Sequence, residues 1–388
     1  MTFLRNARIV LPDQVAESAN LLIHNDRIAR IVDSSSDESI TADSVIDLRG
    51  LTLFPGFIDI HIHGAAGIDT MTADAKDLDR VGEHLARNGV TAWLPTLVPA
   101  RQEQYKQAIE SIEGAMQTRG KAAQILGVHY EGPFVNSEQC GALHKEFFRT
   151  FNSPAALEDL PTISDKRAVQ MMTLAPEVEG GIELIRELTT RGWIVSIGHT
   201  RATPEVLDQA LAAGARHMTH FMNAMTPLHH RDVGAVGWGL THDEVTCDII
   251  ADGIHIDRSV LKLIVNAKNA ERVSLISDAI AAAGMGDGDY EIWGEKISVT
   301  KGRTHNARDR IAGSVITMLD AVRMMTSLGF SESESAGMAS LNPAKLAGID
   351  QDRGSIEQGK CADLVAVDNK KNVRLTIIGG EVVFQDSL

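Results

Sequence analysis

The sequence lacks the features that would place it in a membrane, a disulfide scaffold or a nucleic-acid complex. Its 388 residues contain no run of 18 or more apolar residues, so no membrane span is expected. The first ten residues, Met-Thr-Phe-Leu-Arg-Asn-Ala-Arg-Ile-Val, have neither the long apolar core nor the cleavage site of a signal peptide. Cysteine is scarce: Cys140, Cys247 and Cys361 are odd in number and far apart. That pattern argues against a disulfide framework and for a reducing, cytoplasmic setting. Positive charge is also short, with 37 Lys+Arg against 52 Asp+Glu and a net charge of -15. Non-specific nucleic-acid binding is therefore not expected. A small anionic substrate is still allowed, because a few local cationic or N–H groups hold a phosphate against a negative global field. No internal repeat of 20–50 residues and no low-complexity linker occurs, so the parts of the chain should pack together.

What is present is a large apolar fraction, 44%, with 33 glycines, enough for an α/β barrel and one smaller accessory domain. Residues 3–10, 19–32 and 44–54 read as short strands, with Asn25-Asp26 as a hairpin turn. The C-terminal part repeats the style in Asp363-Leu-Val-Ala-Val, Val373-Arg-Leu-Thr-Ile-Ile and Glu381-Val-Val-Phe, with Gly379-Gly380 as the last turn. Both chain ends are expected to pair into one β-sandwich, residues 1–54 with residues 351–388.

Between them, residues 55–350 alternate strand and helix patterns. Strands are expected at Leu53–His63, Val90–Leu97, Gln124–Tyr130, Met171–Leu174, Trp193–Ile197, His217–Phe221, Thr246–Ala251 and Val273–Ser277. Helices are expected over Thr72–Arg87 and Gln104–Gln117, and one should open at Thr203-Pro204-Glu205, where Thr caps and Pro suits the first helical position. Eight such units give a (β/α)8 barrel as the simplest closure. An open doubly wound sheet would show a Gly-rich phosphate loop after its first strand, and none is present. A β-hairpin insertion near 286–304 interrupts the pattern and could join the sandwich.

Chemistry in a barrel gathers at the C-terminal ends of the strands. His61 and His63 lie two residues apart in Phe57-Ile-Asp-Ile-His-Ile-His-Gly64, so in a strand both imidazoles share a face. Glu131 ends strand three, His199 strand five and Asp278 strand eight, and His220 lies on strand six. Any one of these has an ordinary structural explanation. Five strands all ending in metal-type ligands are what a divalent hydrolytic site requires. Such a metal lowers the pKa of bound water toward about 7 and polarises a carbonyl.

The motifs His129-Tyr-Glu-Gly-Pro-Phe, Gly198-His-Thr, His220-Phe-Met-Asn-Ala-Met-Thr-Pro-Leu-His-His-Arg-Asp, Ala251-Asp-Gly-Ile-His and Ser277-Asp-Ala, with Ala282-Ala-Gly-Met, Ala312-Gly-Ser and Asn342-Pro-Ala downstream, resemble the amidohydrolase superfamily. Within it they resemble the N-acetylglucosamine-6-phosphate deacetylase family, over nearly the full chain. The resemblance implies Glu131, His199 and His220 as ligands of a main divalent metal, with His61 and His63 matching a second site. One or two ions per subunit are implied, zinc first, with iron, manganese and cobalt compatible. It implies Asp278 as the catalytic aspartate, and Asn223, the backbone of Ala224, Arg231 and His255 as the phosphate region. It also implies a homodimer. His217 reads as structural. The loop Gly141-Ala142-Leu143-His144 departs from the family, which has a polar residue at the slot of Leu143; His144 is expected to substitute for it. Cys140 reads as an ordinary loop cysteine. The expected activity is metal-dependent deacetylation of a 6-phosphorylated N-acetylhexosamine, gluco or galacto, with another N-acyl amide as a further reading. A cyclic amidase would bring a bridging lysine from strand four, and Met171-Met-Thr-Leu-Ala-Pro-Glu has none. A non-enzymatic barrel would have lost ligands, and here all are present.

Overall fold

The structure, a computed structural model, describes residues 1–33, 42–118 and 120–386. The part of the N-terminal flank at residues 34–41 lies outside the described residues. Strand Phe57–Ile62 pairs in parallel with Val90–Leu97, and the pairing continues through Gly127–Glu131, Val169–Leu174, Ile194–Ile197, His217–Met218, Thr246–Ile250 and Val273–Ile276. These are barrel strands one to eight. They are apolar and almost wholly buried, as parallel strands covered by helices must be.

The seam between strands eight and one is closed by a few polar bonds. The Asp278 amide donates to the His61 carbonyl at 2.9 Å. The Ser277 hydroxyl donates to Asp59 Oδ2 at 2.5 Å and its amide to Oδ1 at 3.2 Å. Burial pushes the Asp59 carboxyl up to about 6, while the Ser277 bonds pull the other way. Below, Ile58, Ile60, Leu94, Met171, Ile250 and Ile276 form one cluster with Ala344. Residues from strands two, four and seven meet only through the lumen, so this cluster is the packed barrel interior.

Helices cover the outside. Ala75–Arg87 starts where the Asp74 carboxylate caps the Asp77 amide, and it buries Leu78, Val81 and Leu85 on one stripe. Gln102–Met116, Gly181–Thr190, Pro204–Ala213, Gly234–Thr241, Arg258–Lys268 and Met318–Ser327 follow the later strands. Thr203 stands at the start of its helix without a capping side-chain bond. Its hydroxyl serves the Glu205 carboxylate instead, which leaves Pro204 as the start signal.

The flanks form a sandwich-type β unit from one eight-stranded sheet. Its order is Glu381–Gln385, Val373–Ile378, Leu364–Val367, Thr52–Pro55, Thr2–Val10, Val15–His24, Arg27–Asp33, with Ser44–Asp47 also on Thr2–Val10. The sheet wraps a core of its own that includes Leu4, Ile9, Leu21, Leu53, Leu364 and Ile377. The expected first barrel strand, Leu53–His63, is in fact two strands divided at Gly56. Thr52–Pro55 belongs to the sandwich and Phe57–Ile62 to the barrel. Any side chain at Gly56 would collide with Thr91, its Cβ falling 2.3 Å from that side chain. The hairpin Gly288–Ile292 and Glu295–Thr300 pairs with Arg303–Asn306 in a separate three-stranded sheet and does not join the sandwich.

Candidate metal centre

Three of the strand ends turn sharply. His199, His220 and Asp278 have φ of 48°, 33° and 49°. Non-glycine residues rarely adopt this region, and it concentrates at functional sites. It shortens strand six to His217–Met218, two residues rather than the five expected, and swings His220 into the barrel mouth. Asp248 on strand seven holds that turn. One carboxylate oxygen accepts the His220 backbone amide, and the other lies 2.9 Å from His217 Nε2. His217 Nδ1 is 2.7 Å from the Thr246 hydroxyl, so His217 is a fully bonded support residue.

The imidazoles converge on Glu131. His199 Nε2 lies 2.8 Å and His220 Nε2 3.1 Å from Glu131 Oε1, and the two nitrogens are 3.1 Å apart. His63 Nε2 is 3.4 Å from Glu131 Oε2, and His61 Nε2 is 3.8 Å from Oε1. Asp278 Oδ1 lies 3.4 Å from His61 Nε2 and 3.3 Å from His63 Nε2. Two ligand sets result, His61–His63–Glu131 and Glu131–His199–His220, all buried and sharing Glu131.

The charges fit a divalent metal. Burial would push the Glu131 carboxyl up, but bonds from His199 and His220 hold it well below the usual range. Asp278 is likewise held down by His61 and His63 against burial. Burial opposes a charge on His220, yet Glu131 raises its pKa to about 9. Two buried carboxylates ringed by four imidazoles demand positive charge, which protons or a cation supply. Several Nε2 atoms aimed at one another at 3.1–3.2 Å are the donor set a metal takes. His199 is oriented by its Nδ1, which donates to the Gln139 carbonyl at 2.6 Å. The residues present fit one or two divalent ions.

Beside the metal ligands runs a cleft of about 170 Å³, lined also by Leu143, Asn223, Ala224, His255, Asp278 and Trp293. His255 Nδ1 is 2.7 Å from Asp252 Oδ2, which fixes the ring. Asn223 donates to the His220 carbonyl at 3.1 Å. Arg231 is not among the lining residues. It is exposed on the loop beyond strand six, where its guanidinium meets His230 Nε2 at 2.6 Å. His144 also stays outside. Its Nε2 donates to the Trp293 carbonyl at 3.1 Å, and its Nδ1 is 3.3 Å from Glu146. The apolar, buried Leu143 turns inward instead, which sends the next side chain into the neighbouring cavity. The expected entry of His144 into the cleft is not what this loop does. Cys140 is buried, and Arg310 approaches its Sγ at 3.8 Å.

Sequence reasoning missed Asp248 and Trp293. Asp248 carried a faint signal, a lone carboxylate in an apolar strand. Trp293, at the hairpin tip, carried none.

The comparisons agree with this geometry. The amidohydrolase family profile matches residues 52–383. The N-acetylglucosamine-6-phosphate deacetylase of Bacillus subtilis (strain 168) is 36% identical, over 98% of this chain and 96% of its own. The N-acetylgalactosamine-6-phosphate deacetylase of Escherichia coli O157:H7 is 39% identical, over 87% of this chain and 89% of its own. The crystal structure of N-acetylglucosamine-6-phosphate deacetylase from Pasteurella multocida superposes with a TM-score of 0.90 at 31% identity, over 98% of this chain and 99% of that one. A barrel with two ligand sets joined at Glu131, a profile match across most of the chain and near-full-length relatives give one conclusion: the chain belongs to the amidohydrolase family.

Proposed function

We propose that the protein hydrolyses the acetamido group of N-acetylglucosamine 6-phosphate, giving glucosamine 6-phosphate and acetate. The observation that carries this reading is the Glu131-bridged ligand set with Asp278 beside it, opening on a small cleft. The names of the near-full-length relatives support the substrate class.

Glu131, His199 and His220 would hold the main divalent ion, zinc in our reading, and His61 and His63 would hold a second. When bound, the metal makes water acidic and polarises the amide carbonyl. Asp278 accepts the proton of the attacking water at Oδ1 and delivers it to the amide nitrogen. The new C–O bond forms first, the C–N bond of the tetrahedral adduct breaks once its nitrogen carries the proton from Asp278, and water supplies both the acetate oxygen and the amine hydrogen. Asn223, Ala224 and His255 line the cleft and are assigned to the phosphate, which orients the scissile bond. Arg231 stands outside the cleft of its own chain, and His144 is given no oxyanion role. We place the protein in the cytoplasm as a homodimer. No described helix is long and apolar enough to cross a membrane.

The galacto epimer is the second reading, favoured by the 39% identical Escherichia coli relative. Acetate release from the two 6-phosphorylated N-acetylhexosamines, measured side by side with metal content, tests both. Activity on neither, with metal bound, would overturn the substrate assignment.

A further inference from the structure

The metal cleft and a larger cavity share one lining residue. The neighbouring cavity is about 730 Å³ and is lined in part by Gly67, Val98, Ala100, Phe147 and Ile292. Trp293 lines both spaces. It sits at the hairpin tip with φ 55°, followed by Gly294 at φ 73°, the left-handed pair of a tight two-residue turn. Its ring meets His63 edge-on, centroids 5.3 Å apart at 86°. Its carbonyl is held by His144 at 3.1 Å. The turn and the His144 bond thus fix the backbone of Trp293, and the His63 ring meets its indole.

We infer that Trp293 sets the size of the acyl group this protein removes, by closing the metal cleft off from the larger cavity. The inference rests on the amino-sugar phosphate reading above. Asn223 and Trp293 both line the cleft, and each touches a different ligand histidine. Asn223 is bonded to the His220 carbonyl, on the set Glu131–His199–His220, and Trp293 stands against His63, on the set His61–His63–Glu131. A substrate with its phosphate at Asn223 and His255 and its amide carbonyl at the ligand cluster points its acyl methyl toward Trp293. Leu143, Ala142 and Ile311 also line this cleft and give it an apolar part beside its polar ligands. An apolar pocket separates substrates that differ by one methylene roughly 10- to 200-fold. With the indole in place, acetyl fits and longer acyl chains meet the ring. Without it, they extend into the neighbouring cavity. The bonds broken and formed are unchanged, with propionate or butyrate leaving in place of acetate and water again the co-reactant.

The test compares the metal-loaded chain with Trp293→Ala and Trp293→Phe. Substrates are the N-acetyl, N-propionyl and N-butyryl forms of glucosamine 6-phosphate, followed by amine release. The N-butyryl to N-acetyl ratio of kcat/KM should rise by at least about tenfold in Trp293→Ala, the low end of that range, and stay near wild type in Trp293→Phe. Metal content and thermal melting establish that each variant is folded and loaded. If Trp293→Ala does not fold, Trp293→Leu is read in the same way. An unchanged ratio, with acetyl activity retained or with all three substrates slowed equally, overturns the role of Trp293 and leaves the substrate reading intact. A wild-type chain that cleaves none of the three overturns the substrate reading and this inference together.

Discussion

The Nε2 atoms of His61 and His63 lie 3.2 Å apart, buried, with His61 nearer one oxygen of Glu131 and His63 nearer the other. Two neutral imidazoles gain little from this approach, and a shared cation explains it. Replacing both with asparagine should lower the metal bound per chain, while the set of Glu131, His199 and His220 keeps its ion. Glu131→Gln should deplete both sites, because that carboxylate belongs to each ligand set. Elemental analysis of purified variants checks this. Equal metal content in the double variant and wild type would remove the second site.

Asp278→Asn keeps the shape of the side chain and loses its proton chemistry. Turnover should fall by about 10²- to 10⁴-fold, the usual worth of a positioned acid–base group. KM and metal content should change little. Near-wild-type acetate release would sink the assignment.

Asp248 touches neither the cleft nor a metal position, yet it holds His220 by its backbone amide and His217 by its ring. Asp248→Asn should weaken metal binding by about 10- to 100-fold, the range seen when an orienting partner is lost. A competition titration with a chelator reads this directly. His217→Gln should have a smaller effect in the same direction.

Leu94 is wholly buried in the barrel interior. Leu94→Ala should cost about 2–5 kcal/mol of stability, seen as a lower melting temperature or denaturant midpoint. No metal ligand lies in that cluster, so activity at low temperature should persist.

Burial pushes the thiols of Cys247 and Cys361 up to about 12. A thiol reagent needs the thiolate, so both should stay unmodified in the native chain from pH 7 to 9. Unfolding should release all three cysteines, Cys140 included. Rapid native modification of Cys247 would contradict the packing described for strand seven.

The barrel was legible because each strand is an apolar run between helix signals, and a parallel sheet covered on both faces requires that pattern. The ligand types were legible because, although each imidazole or carboxylate alone has an ordinary structural explanation, five strands ending in them together do not. What stayed hidden depends on turns. The left-handed backbone at His220 cuts strand six short, and no periodicity marks it. The Leu143–His144 loop puts the apolar residue inward, beside the cleft that Glu131 also lines. Trp293 comes from an insertion whose tip has no pattern of its own. Gly56 divides what reads as one strand, because a side chain there would strike Thr91.

The seam between the first and last barrel strands has a consequence for assembly. Asp59 and Ser277, bonded across it, are 218 positions apart in the chain. His61 and Asp278 sit on the same two sides. During synthesis, every metal-ligand residue emerges before the residue that completes the reactive centre. A nascent or truncated chain ending before the eighth strand would carry all five ligand residues but no Asp278 to move a proton. Hydrolytic competence therefore arrives in one step, with closure of the ring. Because a bound ion favours the closed form by mass action, metal supply should act on the yield of folded protein as well as on its activity.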